Sequence, residues 1–149
     1  MQTLELDATK WKTVLDFYDA LLAAVGAPEW HGKSPAALVD SMIWGGINAV
    51  EPPYMVRIAD LSAAPAEVRD HVQLVRDALV NARIGRKRHN GDDVEASIVI
   101  APASDGIGPD EQASKIRSAV AAVRYEGPDP RLDATIERLR RQLKWVPDR

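Results

Sequence analysis

Hydrophobic residues recur along the chain with two different periods, and the change between them marks the predicted secondary structure. Alternating or uninterrupted hydrophobic runs predict strands at residues 2–6, 54–59 and 96–101. A period of three to four residues predicts helices at residues 13–26, 35–44, 65–85, 112–124 and 130–144. The last strand run, ASIVIA, is nearly continuous, which is typical of a strand buried on both faces of a parallel sheet.

The order of these elements predicts an α/β domain. Strand, two helices, strand, helix and strand is the order expected for a small three-stranded parallel sheet covered by its helical crossovers. We assign this domain to residues 1–101 and a breaker-rich linker to residues 102–111. Residues 112–149 are expected to form a C-terminal helical hairpin, packed on the domain or on a second copy of the chain in a homodimer. The apolar seam that requires such cover consists of Leu132, Ile136, Leu139 and Leu143.

Composition narrows the classes of function. The 149 residues are 46% hydrophobic and 28% charged, as in globular proteins, and the net charge of −3 argues against a generally basic nucleic-acid binder. The absence of cysteine excludes disulfides, thiolate metal sites and cysteine nucleophiles. The chain lacks an N-terminal apolar segment and any apolar run of the roughly 18 residues that a membrane span needs. We therefore expect a cytoplasmic protein.

A single charged residue interrupts the apolar segment from Ser34 to Val50. Ser34 is a candidate N-cap and Pro35 fits the first helical position, so that Asp40 falls within a short helix. One side of this helix is a plausible core face, and the other is apolar around the carboxylate, with Val39 and Ile43 beside it. Burial of an unpaired charge costs roughly several kcal/mol. Asp40 therefore either pairs with Arg57 or Lys33 inside the fold or faces a protein partner. The flanking residues Trp30 and Trp44 are typical of an interaction hot spot.

The segment LLAAVGAPEWHGKSPAALVDSMIWGGINAVEPPYMVRI (21–58) resembles the barstar family of bacterial ribonuclease inhibitors. In that family an aromatic-Gly loop leads into a short helix of pattern N-L-D-A-L-W-D, followed by a Gly-containing turn, Pro and a strand. The resemblance covers about residues 1–101 and is best from Ala27 to Ile58. It implies a three-stranded parallel sheet, in agreement with the order of elements above.

The resemblance also implies a function for Asp40. The family's loop and second helix plug the active site of a secreted ribonuclease, and the Asp that closes the pattern enters the basic phosphate-binding pocket. Asp40 stands at that position here. The implied protein is a stoichiometric inhibitor, an immunity protein without catalysis, cofactor or metal, whose partner is a basic ribonuclease or related toxin. The expected partner-binding residues are Trp30, Gly32, Val39, Asp40, Ile43, Trp44 and, as a weaker match on the next long helix, Asp77.

The chain also departs from the family pattern. Where the pattern has Asn, Leu, Asp and Trp, this chain has Ser34, Pro35, Ala36 and Val39, so one acidic contact and one large aromatic residue are missing. Lys33 adds a positive charge. These changes favour a different nuclease or another partner.

Three alternatives remain open from the sequence. The chain could be a barstar-like interaction module whose partner is not a nuclease. A small hydrolase could use His31 as a general base, although no nucleophile or H-x-x-x-H metal spacing accompanies it and a histidine in a turn is more often a hydrogen-bonding residue. A nucleic-acid-binding module could use RIGRKRH (83–89), which we interpret instead as basic residues beyond a helix end, in a solvated loop.

Overall fold

The computed structural model describes residues 1–101 and 106–129, in which three parallel strands form one sheet. The strands are β1 (Gln2–Asp7), β2 (Tyr54–Ala59) and β3 (Ala96–Ala101), and β2 lies in the centre. Their starting residues align, because Tyr54 faces Gln2 on one side and Ala96 on the other. The predicted three-stranded parallel sheet and its α/β class are confirmed.

Helices connect and cover the strands. They are α1 (Val14–Ala24), α2 (Pro35–Leu38), a π-helix (Val39–Trp44) that continues α2, a short 3₁₀ helix (Leu61–Ala63), α3 (Ala66–Asn90) and α4 (Pro109–Ala121). The predicted capping signals are used. The Thr13 hydroxyl accepts from the backbone N–H of Asp16 while the Asp16 carboxylate accepts from that of Thr13. The Ser34 hydroxyl likewise accepts from the N–H of Ala37, with Pro35 in the first helical position.

The two faces of the sheet have different partners. On one face, side chains such as Val56, Ile58 and Ile98 form the main core with α1, α3 and the segment that carries Asp40. On the other face, Met55 and Val99 pack against Ala113 of α4. Both faces of β3 are therefore buried, as its continuous hydrophobic run predicted.

Helix α4 is held on β3 by a buried side-chain amide. The Gln112 amide nitrogen donates to the Ile100 carbonyl at 2.6 Å, and its amide oxygen accepts from the Ile100 N–H at 3.0 Å. The first helix of the C-terminal region thus packs on the domain. It begins at Pro109, inside the predicted linker 102–111, because Pro is well suited to a first helical position. The second predicted helix, 130–144, lies outside the described residues, as does Trp145.

Helix α3 is longer than the sequence predicted. It continues past residue 85 to Asn90, so the basic residues 83–89 are helical and the predicted solvated loop is wrong. The extension is stabilised by ion pairs from Arg83 to Asp93 and from Arg86 to Asp92. It ends at Gly91, which adopts the left-handed conformation at φ +91° that a C-terminal cap requires. Within residues 1–101 and 106–129, none of the helices combines the length and hydrophobicity that crossing a membrane requires.

Candidate functional site

The loop before α2 presents a tryptophan to solvent. Trp30 is 74% exposed, and the following residue, His31, is buried. Gly32 lets the loop lie against α2, because a Cβ at this position would come within 3.2 Å of the Ala37 Cβ. The His31 N–H closes the turn by donating to the Pro28 carbonyl at 3.0 Å. The aromatic-Gly loop therefore presents Trp30 next to the helix that carries Asp40.

Asp40 lies in a π-helix, and this changes which neighbours it has. The N–H of Gly45 donates to the Asp40 carbonyl at 3.1 Å, an i to i+5 bond that widens the turn. Residues five apart then lie on the same face of the helix. Ile43 therefore lies on the same face as Leu38, and both side chains are fully buried. The prediction that Ile43 lies on the outward face beside Asp40 is wrong. Val39 is half-buried and packs against the core, so it offers only part of its surface to a partner.

The Asp40 carboxylate is exposed and unpaired among the described residues. Its two possible internal partners are engaged elsewhere. Lys33 pairs with Asp19 at 2.8 Å, and Arg57 pairs with Glu5 at 2.8 Å across β1 and β2. The alternative in which Asp40 is an internal structural charge is therefore wrong, and the expected solvent-accessible carboxylate is confirmed.

Trp44 is supported by a residue that the sequence did not single out. Its ring is 53% exposed, and the Arg86 guanidinium lies 5.0 Å from the ring centroid in a cation–π contact. Arg86 also donates to the Ile43 carbonyl at 2.6 Å, which satisfies a carbonyl at the end of the π-helix. Helix α3 thereby fixes the C-terminal end of the segment that carries Asp40.

Arg86 is itself held by a bidentate ion pair with Asp92. Its Nε and Nη2 donate to the two carboxylate oxygens of Asp92 at 3.0 and 2.9 Å. These bonds, followed by one from the Asn90 amide, lower the pKa of Asp92 to about 2. Arg86 therefore has its charge matched inside the protein and acts as a support for Trp44. The pairing of Arg86 with Asp92 was hard to predict from the sequence. Asp92 follows the end of the helix, and the turn at Gly91 is needed to bring its carboxylate back to Arg86.

Asp77 lies apart from the Trp30 loop and the π-helix that carries Asp40. It is exposed on α3, about half a turn around the helix from the core residues Val75 and Leu79, in a shallow groove with Leu74. No hydrogen bond or ion pair in the described part of the chain joins it to the loop or the π-helix. Its role in partner binding stays a prediction.

The arrangement offers binding rather than acid–base chemistry. The ring nitrogens of His31 bond the Gly32 carbonyl and the Ser41 hydroxyl. His31 and Ser41 are only 6% and 4% exposed, so a substrate cannot reach this imidazole–hydroxyl pair. No group of three His, Asp or Glu side chains suited to a metal ion occurs in residues 1–101 and 106–129. The candidate surface offers one unpaired exposed carboxylate on the π-helix, an exposed tryptophan in the preceding loop and another at the end of the π-helix.

The comparisons with known proteins bear on this surface. Residues 1–96 match the family described as Barstar (barnase inhibitor), which is more than half of the chain and includes β1, β2, α1 to α3 and the whole candidate surface. A search of curated proteins finds no match to the chain. The extension that contains α4 lies beyond the matched residues.

Proposed function

The chain belongs to the barstar family, whose members inhibit ribonucleases and are not enzymes, and on that premise we propose that it is a stoichiometric inhibitor of a basic ribonuclease-like toxin. The proposed mechanism is steric and electrostatic plugging of the active site by the surface formed by Trp30, Gly32, Val39, Asp40 and Trp44. Ile43 supports this surface from the core and is not part of the contact.

The unpaired carboxylate of Asp40 is the observation that carries the proposal. A nuclease active site binds phosphate with cationic side chains, and a carboxylate can replace a phosphate as the acceptor of charge-assisted hydrogen bonds. Such bonds become strong when the surrounding apolar surface excludes water. Because Asp40 has no described internal partner, binding does not first have to break an ion pair.

The residues around Asp40 favour a target whose contacts differ from those implied by the family pattern. Ala36 is exposed at the position where the family pattern has an acidic residue, so one carboxylate contact is absent. Lys33 does not add a free positive charge, since Asp19 neutralises it at 2.8 Å. We propose a nuclease that meets Asp40 with a cation but needs no acid at position 36.

The proposed place of action is the cytoplasm of the cell that makes the toxin. An inhibitor that protects cellular RNA has to meet the nuclease before the nuclease is secreted, which is the role of an immunity protein. Association of two copies through the C-terminal helices stays a prediction, because the helix that would form the seam lies outside the described residues.

Trp30→Ala tests whether the loop is a contact. Truncation of an exposed aromatic anchor is expected to weaken binding of the ribonuclease by about 2 kcal/mol, or about thirtyfold, without lowering the thermal midpoint. The matched control is Leu15→Ala on α1, which removes a comparably exposed hydrophobic side chain (55% against 74%) outside the surface. Calorimetric titration measures both variants. Equal affinities for the two variants would place the contact elsewhere.

A further inference from the structure

A buried histidine lies within the exposed loop. His31 is only 6% exposed although the preceding residue, Trp30, is 74% exposed. A buried imidazole has two polar nitrogens that need partners, and a hydrophobic residue would fill the same space at lower cost. The two partners that His31 finds lie in different segments of the candidate surface.

The hydrogen bonds of His31 define its proton. Nδ1 lies 2.6 Å from the Gly32 carbonyl oxygen, and Nε2 lies 2.7 Å from the Ser41 hydroxyl. A carbonyl can only accept, so the proton is on Nδ1, and the bare Nε2 of the neutral ring accepts from the hydroxyl. Ser41 Oγ is also 3.4 Å from the Leu38 carbonyl, a longer contact that leaves the 2.7 Å bond as the main one.

The bond between His31 and Ser41 links the chain neighbours of the two main candidate contact residues, Trp30 and Asp40. His31 directly follows Trp30, and Ser41 directly follows Asp40. We infer that His31 and Ser41 are positioning residues that hold the Trp30 loop in a fixed arrangement against the Asp40 segment before a partner arrives. The inference rests on the proposed function. A surface that is ordered in advance loses less conformational freedom on binding, so it binds more tightly without any added contact.

The other ion pairs and hydrogen bonds of the loop are weaker or join residues within the loop. The pair between Lys33 and Asp19 is exposed, and exposed ion pairs contribute little. The His31 N–H bonds to Pro28 within the loop itself. Among the described hydrogen bonds, the one between His31 and Ser41 is the buried side-chain link from the loop to the π-helix.

The free protein provides the first test. In Ser41→Ala, hydrogen exchange of the backbone amides at 29–33 is expected to accelerate about tenfold, and in His31→Phe at least as much, because that variant also loses the bond to the Gly32 carbonyl. The double variant should exchange no faster than His31→Phe, because the bond to Ser41 is already absent there. Nitrogen chemical shifts of the His31 ring should show the Nδ1–H tautomer in both proteins, because the Gly32 carbonyl still requires a proton on Nδ1. The Nε2 resonance should move in Ser41→Ala, because that nitrogen loses its hydrogen bond. The Ser41→Ala change is small, so it still decides the question if His31→Phe does not fold.

The matched control is His71→Phe. It removes another histidine–hydroxyl bond, the 2.7 Å contact between His71 Nε2 and Tyr18 that joins α3 to α1. It is expected to lower the overall stability and leave the relative exchange of residues 29–33 unchanged. Unaltered loop exchange in Ser41→Ala, or equal acceleration in His71→Phe, would overturn the inference.

Binding provides the second test and separates the inference from the proposed function. Ser41→Ala is expected to weaken binding of a ribonuclease about tenfold, mainly through slower association of the loosened loop. A wild-type protein that binds no ribonuclease while its loop still loosens in Ser41→Ala contradicts the proposed function but supports the positioning contact. A ribonuclease bound equally by wild type and Ser41→Ala contradicts the positioning role alone.

Discussion

Replacement of Asp40 by alanine is expected to weaken binding of the target ribonuclease about a hundredfold or more, while the free energy of unfolding changes by less than about 0.5 kcal/mol. Truncation of an anchor of this type costs about 2–8 kcal/mol, and the upper value comes from an aspartate of a barstar itself. We expect the lower part of that range, because Ala36 and Val39 replace the acidic and aromatic neighbours of the family pattern. Surface plasmon resonance and urea unfolding give the two quantities.

Two further variants show whether the effect of Asp40 is local and electrostatic. Asp40→Asn keeps the shape and removes the charge, so its affinity should fall between those of the wild type and the alanine variant. Glu111→Ala removes the same charge from α4, which covers the opposite face of the sheet, and should bind like the wild type. Loss of folding in Asp40→Ala would contradict the account, since the carboxylate would then be a structural charge.

The second large effect concerns stability. Asp93→Ala is expected to lower the free energy of unfolding by about 3–5 kcal/mol, because it leaves the Arg83 guanidinium buried without its counter-ion. Arg83 is 0% exposed, and its Nε and Nη2 donate to the two Asp93 oxygens at 2.9 and 2.7 Å. Its remaining Nη1 has no hydrogen-bond partner among the described residues, so in that part of the chain Asp93 alone balances the guanidinium. Urea unfolding monitored by circular dichroism measures the loss.

The neighbouring aspartate is the matched control for Asp93. Asp92 forms the same two-pronged bond to Arg86, but its carboxylate is 53% exposed and water can replace it. Asp92→Ala is therefore expected to cost about 1 kcal/mol or less. The double variant Arg83→Met with Asp93→Ala should recover much of the stability, because it removes the buried guanidinium together with its counter-ion. Equal losses from the two single substitutions would show that burial of Arg83 does not matter.

The strands were predictable because they depend on local pattern, whereas the state of Asp40 was not fully predictable. The alternation at β1 and the continuous run at β3 reflect which faces of a sheet are covered. The unpaired state of Asp40 was one of two alternatives that the sequence left open, because Arg57 or Lys33 could have paired with it inside the fold. The structure decides between them, since Lys33 pairs with Asp19 and Arg57 with Glu5. The strand pattern is local, but the partners of Lys33 and Arg57 depend on the tertiary fold.

The orientation of Ile43 could not be obtained in this way. A period of 3.6 residues places it beside Asp40, but the i to i+5 bond from Gly45 to Asp40 shifts the turn and buries it. The π-helical segment packs against α3 and ends at Gly45, which has a positive φ of +78°. A periodicity analysis assumes the common helix and has no signal for the wider one.

The roles of the basic residues on α3 depend on contacts made after the chain turns. Arg83 and Arg86 look like part of a solvated cluster, because Asp93 and Asp92 lie beyond the helix end. Only the turn at Gly91 brings the carboxylates back to the guanidinium groups. The bond between His31 and Ser41 is similar, since it joins residues ten apart whose relation depends on the bend into α2.

Titration of ribonuclease activity with the wild-type protein tests the central claim most directly. Cleavage of a fluorogenic RNA would be followed for a panel of small basic ribonucleases, including barnase, at enzyme concentrations above the expected dissociation constant. We predict that for at least one of these nucleases the residual activity falls linearly and reaches zero at one equivalent of inhibitor, with Asp40→Ala shifted to large excess. Full activity of every nuclease at large molar excess of the protein, together with a pull-down that recovers no basic nuclease, would contradict the claim.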